Sequence, residues 1–415
     1  MEVREGYKKT EIGVIPEDWV MKNLRDISID MLQGVNTAID IPEYVKSGFP
    51  MLKANDVIDG DINFGDVDQI SYKTFRGYNI RFKPKKGDFL FSNIGARLGS
   101  GALLKEKIEC SFAWNVMRII PDKNQIIPEY LSSTINSPSF YKLVISNQTG
   151  SGMGFVPKSI IQKMSIPLPS LPEQKAIVEV LSDTDELIQT LEKKIVKKQL
   201  IKQGAMQKLL TPPSKPEALE GWEVKKLGEI AEFHKGKGLP KSEIIEEGKM
   251  KCIHYGELFT KYNEEIKEII SYTNTTMNVF FSKYNDVLMP TSDVTPNGLA
   301  TASCINENNV VLGGDVLIIR VKIEVLKGTF LSYYISMYRE QVMQLVTGST
   351  VYHLYGSDMA KFVIKYPNLN EQTRIATILS DMDSEIEMLE NKLAKFKKLK
   401  QGMMQELLTG KTRLV

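Results

Sequence analysis

Two stretches of this 415-residue chain say nearly the same thing. LPEQKAIVEVLSDTDELIQTLEKKIVKKQLIKQGAMQKLLT from Leu171 and LNEQTRIATILSDMDSEIEMLENKLAKFKKLKQGMMQELLT from Leu369 align without a gap and share 21 of 41 residues. Self-similarity over that span makes one structural unit recur, so any fold for the chain must contain it twice. The match extends upstream more weakly. VPKSIIQKMSIPLPSLPEQ answers LYGSDMAKFVIKYPNLNEQ, KKGDFLFS answers KYNDVLMP, and the halves open alike with PEDWVMKNLRDI and LEGWEVKKLGEI. The chain therefore reads as tandem copies: a globular domain over 1–170, a long helix over 171–211, a second domain over 212–368, a second helix over 369–410 and a tail over 411–415. The break falls in TPPSKPEALEGW, whose prolines end the first helix and stiffen a short linker.

Each long segment opens on a cap. Ser170 with Glu173, and Asn368 with Glu371, have the spacing of a capping box. Apolar residues then recur at four- and three-residue steps: Ile177, Leu181, Ile188, Leu191, Ile195 and Leu209 in the first copy. The second has Ile375, Leu379, Met382, Ile386, Leu389, Leu393, Phe396, Met403 and Leu407. That is the seam of a two-helix coiled coil, in a rod of roughly 55 Å at 1.5 Å per residue. Both helices are acidic early (Asp183, Asp185; Asp381, Asp383) and basic late (Lys197, Lys198; Lys397, Lys398, Lys400). The gradient complements the dipole of a single helix, and it also sets an orientation for the pair. Parallel pairing would put like charges together, whereas antiparallel pairing joins acid to base.

Within the globular parts, β-rich runs such as GDFLFSNIG, NVMRIIPD, NDVLMPTSD and DVLIIRVKI precede helical patterns at PEYLSSTINSPSFYKLVISN and GTFLSYYISMYREQVMQLV. The expected fold class is α+β. Two tandem domains with β-rich cores, related by a pseudo-twofold axis, are separated by a long antiparallel two-helix coiled coil. Hydrophobic residues at 42% are enough for real cores, and a net charge of +2 neither requires nor excludes an anionic partner. Three scattered cysteines argue against a disulfide framework, and the charged start MEVREGYKKT is no signal peptide. The most apolar run, Val310 to Val321, is too short to span a bilayer and reads as two buried strands around a turn. A cytoplasmic protein with no membrane contact is expected.

Two similar domains on a stiff spacer suit an extended, bipartite target. About 55 Å corresponds to roughly 16 base pairs of B-DNA, so both domains could reach one duplex. The opening YKKTEIGVIPEDW, the IPLPSLPEQ lead into the first helix, the ending DMDSEIEMLENKLAKFKKLKQGMMQELLTGKTRL and the two-copy layout resemble the specificity subunit of type I restriction–modification enzymes. The resemblance covers the whole chain. It implies a non-catalytic subunit whose two target recognition domains each read one half of an asymmetric double-stranded DNA site. It also implies that the helices set the spacing and dock two modification (methyltransferase) subunits, with restriction subunits joining them. No cofactor is expected in this chain. S-adenosylmethionine, ATP and Mg would belong to the partner subunits. YPNLNEQ departs from the doubled-proline form, and the second domain is locally acidic at KSEIIEEGKMKC.

DNA affinity should come from lysine and arginine on phosphates, and specificity from a few base-edge contacts. SYKTFRGYNIRFKPKK interleaves Lys73, Arg76, Arg81 and Lys83 with aromatics, the alternative being an edge hairpin guarded by lysines. Arg97 stands in the glycine-rich NIGARLGSGALL. QTGSGMGFVPKS and VTGSTVYHLYGSDMAK occupy matching places and offer Ser151, Lys158, Ser349, Tyr352 and His353. FHKGKGLPKS, aligned with MLQGVNT, carries Lys235, Lys237 and Lys241. Gly204 and Gly402, costly inside helices, admit a close partner backbone or mark a kink. No phosphate-binding loop or methyltransferase tetrapeptide occurs, and Cys252 with His254 makes a poor metal site, so no metal is expected. The competing readings are a coiled-coil scaffold with protein- or glycan-binding end domains, and an enzyme with an unfamiliar site.

Overall fold

The computed structural model describes residues 4–10, 13–58, 60–150, 154–212 and 221–414. The chain divides into two compact units, Met1–Leu191 with Lys392–Val415, and Glu192–Asn391. Each contains a globular domain and part of both long helices, which run Leu171–Leu210 and Leu369–Leu407.

Within each unit the helices are antiparallel, and charge accounts for the sense. In the first, Lys400 Nζ lies 2.5 Å from Asp185, and Thr184 faces the Met403 sulfur. In the second, Lys202 Nζ lies 2.5 Å from Asp383, and Lys198 lies 2.7 Å from Glu385. Lys202 and Asp383 are the repeat equivalents of Lys400 and Asp185, so one acid–base pair is used twice. Ile177, Leu181, Ile188, Leu191 and Ile195 are buried, as are Ile375, Leu379, Ile386, Leu389 and Leu407. Leu209, Met382, Leu393, Phe396 and Met403 are half-buried. At the last turns burial passes to Leu210 and to Met404 and Leu408, which join the domain cores. A straight helix drifts against a heptad seam, and here the drift turns the ends toward the domains.

The first domain is built on a four-stranded antiparallel sheet, in the order Gly101–Leu103, Phe89–Ser92, Val116–Pro121, Ser28–Gln33. The second repeats it as Ser303–Ile305, Asp286–Pro290, Val316–Val321, Ala231–Lys235, with Glu265–Ile266 added beyond Ser303–Ile305. The central strands are buried on both faces, so they read as continuous apolar runs. Phe89 and Phe91 pack toward the helices, while Leu90 faces a second core beside a smaller sheet. Val287, Met289 and Leu288 divide in the same way. In the smaller sheets Phe49–Leu52 pairs parallel with Ser111–Phe112, and Met250–Ile253 with Val311–Leu312.

Three local readings are corrected. The run from Val310 to Val321 does hold two strands around a turn, but they belong to different sheets. Each helical pattern is two helices: Pro128–Ile135 and Pro138–Ser146, then Gly328–Met337 and Arg339–Met343. Ser137 caps Phe140 N ahead of Pro138, a strong restart signal. The basic stretch from Ser71 is no edge hairpin. It is a short helix, Tyr72–Gly77, followed by a 3-10 turn at Ile80–Phe82, because Ser71 caps Thr74 N and Phe75 is buried against Phe49.

Three polar devices hold the frame. Gln174, fully buried, accepts from Ile127 N and donates to the Gln125 and Pro169 carbonyls. Gln372 does the same with Lys327 N, Val325 O and Pro367 O. This explains why the EQ of each helix start is repeated: its amide ties the helix to the loop ahead of Pro128 or Gly328. The second device is a buried ion pair, Asp88–Arg118 in the first domain and Asp286–Arg320 in the second. The third occurs in the first unit. Ser170 caps Glu173 N, but the Glu173 carboxylate accepts from Trp19 Nε1 at 3.0 Å and from Arg413, which also grips Asp18. Its repeat equivalent, Glu371, pairs with Arg374 instead.

The Arg413 hydrogen bond holds the Asp18 carboxyl below its ordinary range. A lowered carboxylate pKa stabilises the fold above the unfolded value and loses that contribution as pH falls through the folded one. Arg413→Ala should therefore lower the melting temperature at pH 7. The deficit arising from Asp18 should shrink in thermal scans below about pH 4.

Candidate nucleic-acid interface

The basic residues of the first domain are displayed on aromatic supports. Arg76 lies over the Tyr72 ring at 5.0 Å, Lys83 over Phe75 at 4.6 Å, and Arg81 over Phe82 at 5.4 Å. Lys73, Arg76 and Arg81 are exposed, Lys83 is half-buried, and among the described residues none of the four pairs with a carboxylate. Cations held over ring faces keep their charge available to phosphate oxygens. Arg97 is also exposed, in a loop bounded by Gly95 and Gly99, both at positive φ. At Gly99 a Cβ would come within 3.0 Å of Tyr141, so the turn needs glycine.

The matching loops differ in what they present. Lys158 opens the short helix Lys158–Ile161 and is half-buried, while Ser151 lies outside the described residues. Ser349 is exposed. Tyr352 and His353 form a strand that pairs with Ser292–Asp293 and Thr347–Gly348. Tyr352 leans on the domain core, and His353 Nδ1 is 3.4 Å from Ser292 Oγ. Lys237 and Lys241 are exposed without a carboxylate partner among the described residues, whereas Lys235 is 3.2 Å from Asp315.

The fold brings two of these loops together. A cleft of about 350 Å³ is walled by Phe233, Lys235, Ser292, Asp315, His353 and Tyr355. Lys235 and His353 stand far apart in sequence yet meet here, and Tyr355 stacks on His353 at 6.1 Å. Ser292, Asp315 and Tyr355 were not legible as site residues. Asp315 lay inside a run read as two buried strands, Ser292 in no candidate loop, and Tyr355 within the candidate loop VTGSTVYHLYGSDMAK but not singled out.

The remaining reactive groups are structural. Burial pushes the thiols of Cys110, Cys252 and Cys304 up to about 12, far from a neutral-pH nucleophile. His254 Nδ1 accepts from Gly256 N at 3.2 Å, closing a local turn. Among the described residues no helix is long and apolar enough to cross a membrane.

Gly204 and Gly402 are exposed on the long helices, and a Cβ at either would meet nothing. Gly204→Ala and Gly402→Ala should each raise stability by about 0.5–1 kcal/mol in urea titrations. A loss would show that the backbone there departs from a regular helix.

Duplicated α+β domains, alike in frame and unlike at their rims, define a tandem recognition protein. The model of the type I restriction modification DNA specificity domain matches twice, at residues 16–200 and 219–398. The chain is 29% identical over 439 residues to a provisionally named type I restriction enzyme MjaX specificity subunit of Methanocaldococcus jannaschii, covering 99% of this chain and 97% of that one. It is 27% identical over 452 residues to the type I restriction enzyme MjaVIII specificity subunit of the same organism, covering 99% and 96%. Its fold is shared with the crystal structure of a type I restriction–modification S subunit from M. genitalium, at a TM-score of 0.61 and 13% identity over 98% of each chain. The chain belongs to the type I restriction–modification DNA specificity family.

Proposed function

We propose that this chain is the non-catalytic DNA-reading subunit of a type I restriction–modification complex, each domain recognising one half of an interrupted, asymmetric site. The helix pair acts as the spacer and carries two modification subunits, to which restriction subunits add. S-adenosylmethionine, ATP and Mg are held by those partners, and the complex works in the cytoplasm. The observation that supports this reading is the conserved frame with divergent rims. Gln174 and Gln372, and the equivalent Asp88 and Asp286, each gripping an arginine of the next strand, keep one scaffold, while Gln33 and Lys235 stand at equivalent strand ends with different chemistry. Such divergence suits two readers of different sequences.

The test is co-expression with a modification subunit of the same system, followed by mapping of methylated adenines. An interrupted motif is expected. Replacing residues 1–170 by those of a relative should change one half of it and leave the other half intact. A chain that binds no duplex in a salt-dependent way, alone or with its partner, would favour a protein- or glycan-binding scaffold. Methylation or cleavage by the isolated chain would make it an enzyme.

A further inference from the structure

We propose that the second domain reads a guanine–cytosine pair through Lys235 and Asp315 at the rim of its cleft. The inference rests on the DNA-reading role proposed above and gives that role a site and a base preference.

Strand register locates the position. In the first domain Gln33 lies opposite Met117 and Ser92 opposite Val116. In the second, Lys235 lies opposite Leu317 and Pro290 opposite Val316. Gln33, Asn93 and Asn115 are therefore the structural equivalents of Lys235, Thr291 and Asp315. The first set is uncharged: the Gln33 amide donates to Asn93 Oδ1 at 2.9 Å and also to the Trp114 carbonyl. The second set is ionic. One location on a shared frame thus carries two chemistries, as readers of two different half-sites require.

The geometry of the ionic set favours a base edge over the backbone. Lys235 Nζ lies 3.2 Å from Asp315 Oδ1, and their side chains are 65% and 47% exposed, so a large partner can reach both. Thr291 Oγ1 donates to the same Oδ1 at 3.3 Å. Among the described residues Asp315 Oδ2 has no partner, which leaves a free acceptor oxygen on a half-exposed side chain. Phosphates repel a carboxylate, so its favourable partner on DNA is an exocyclic amino group. In the major groove guanine offers O6 and N7 to a lysine, and its paired cytosine offers the N4 amino group beside them. The Lys235–Asp315 couple presents a donor beside an acceptor; adenine N7 and N6 offer the same order, but only a guanine–cytosine edge gives the ammonium two acceptors and the carboxylate the cytosine N4 amino group. Asp315 keeps its place at φ 60°, a left-handed conformation that asparagine also tolerates, so Asp315→Asn removes charge without changing the turn.

The test uses the full chain assembled with its modification subunits, and adenine methylation scored over a randomised target library. The native complex should show a G·C pair within the half of the motif assigned to the second domain by domain exchange. Lys235→Ala and Asp315→Asn should each reduce discrimination at that pair by roughly 5- to 150-fold. The other half and the spacer should stay unchanged, with native melting temperatures. The proposal is overturned if that half has no G·C pair, or if both variants keep full discrimination. It is overturned equally if Lys235→Ala weakens all sequences alike with a shallower salt dependence, which marks a phosphate contact. Failure of the DNA-reading role itself would look different: no interrupted motif, and no half-site change on domain exchange.

Discussion

Asp286→Ala is expected to cost the second unit about 3–5 kcal/mol. The Asp286 side chain is wholly buried, and its carboxylate receives Arg320 Nε at 2.9 Å and Nη2 at 2.8 Å, with Lys283 N at 2.8 Å. The bidentate fork raises the Arg320 pKa, and arginine's own high pKa keeps the guanidinium charged even when that partner is lost. Alanine would leave that cation, only 18% exposed, without a counter-charge and would strand a turn amide. The measurement is urea unfolding of the full chain followed by probes in each unit, because two units need not unfold as one. Asp88→Ala should act equivalently on the first unit through Arg118 and Lys85 N. A change below about 1 kcal/mol in both would show that the pair is no part of the frame. Replacing Asp286 and Arg320 together by apolar residues of similar volume should cost far less than either single change, since the penalty lies in the stranded charge.

Gln372→Ala should destabilise the same unit by about 3 kcal/mol. The amide has no exposure and makes three hydrogen bonds, one to a backbone donor and two to backbone carbonyls. Each bond is worth roughly 1 kcal/mol net, and the Lys327 amide would be left without its acceptor. Gln372→Glu sharpens the test. A glutamate still accepts from Lys327 N but donates to neither Val325 O nor Pro367 O while ionised, and to only one of them once protonated, so it should be at least as damaging at pH 7 and recover in part toward acid. A mild Gln372→Glu would mean that donation to the two carbonyls contributes little. Gln174 variants should report the same hierarchy in the first unit.

Much of the frame was legible because it repeats and because helices are local. The periods of Ile177 through Ile195 and Ile375 through Leu407 located both helices, and the acidic Asp185 and Asp383 against the basic Lys198 and Lys400 implied their antiparallel sense. Helical spacing and charge order are properties of neighbouring residues, so a sequence carries them openly. Less survived where a residue's partner is distant. Glu173 had the spacing of a capping box, yet Trp19 and Arg413 take its carboxylate, and neither lies near it in sequence. The stretch from Ser71 left an edge hairpin open as an alternative, because its helix depends on the burial of Phe75 against Phe49, a contact the local order does not show.

The duplication, the helices and the family were settled by the order of residues alone. Only the tertiary structure decided that Lys235 faces Asp315, that Gln174 and Gln372 close their loops, and that Asp88 and Asp286 each bury an arginine. The reason is physical. A helix is specified by hydrogen bonds a few residues apart, whereas a rim is specified by which strands lie side by side and in what register, and that is fixed only when the whole core packs.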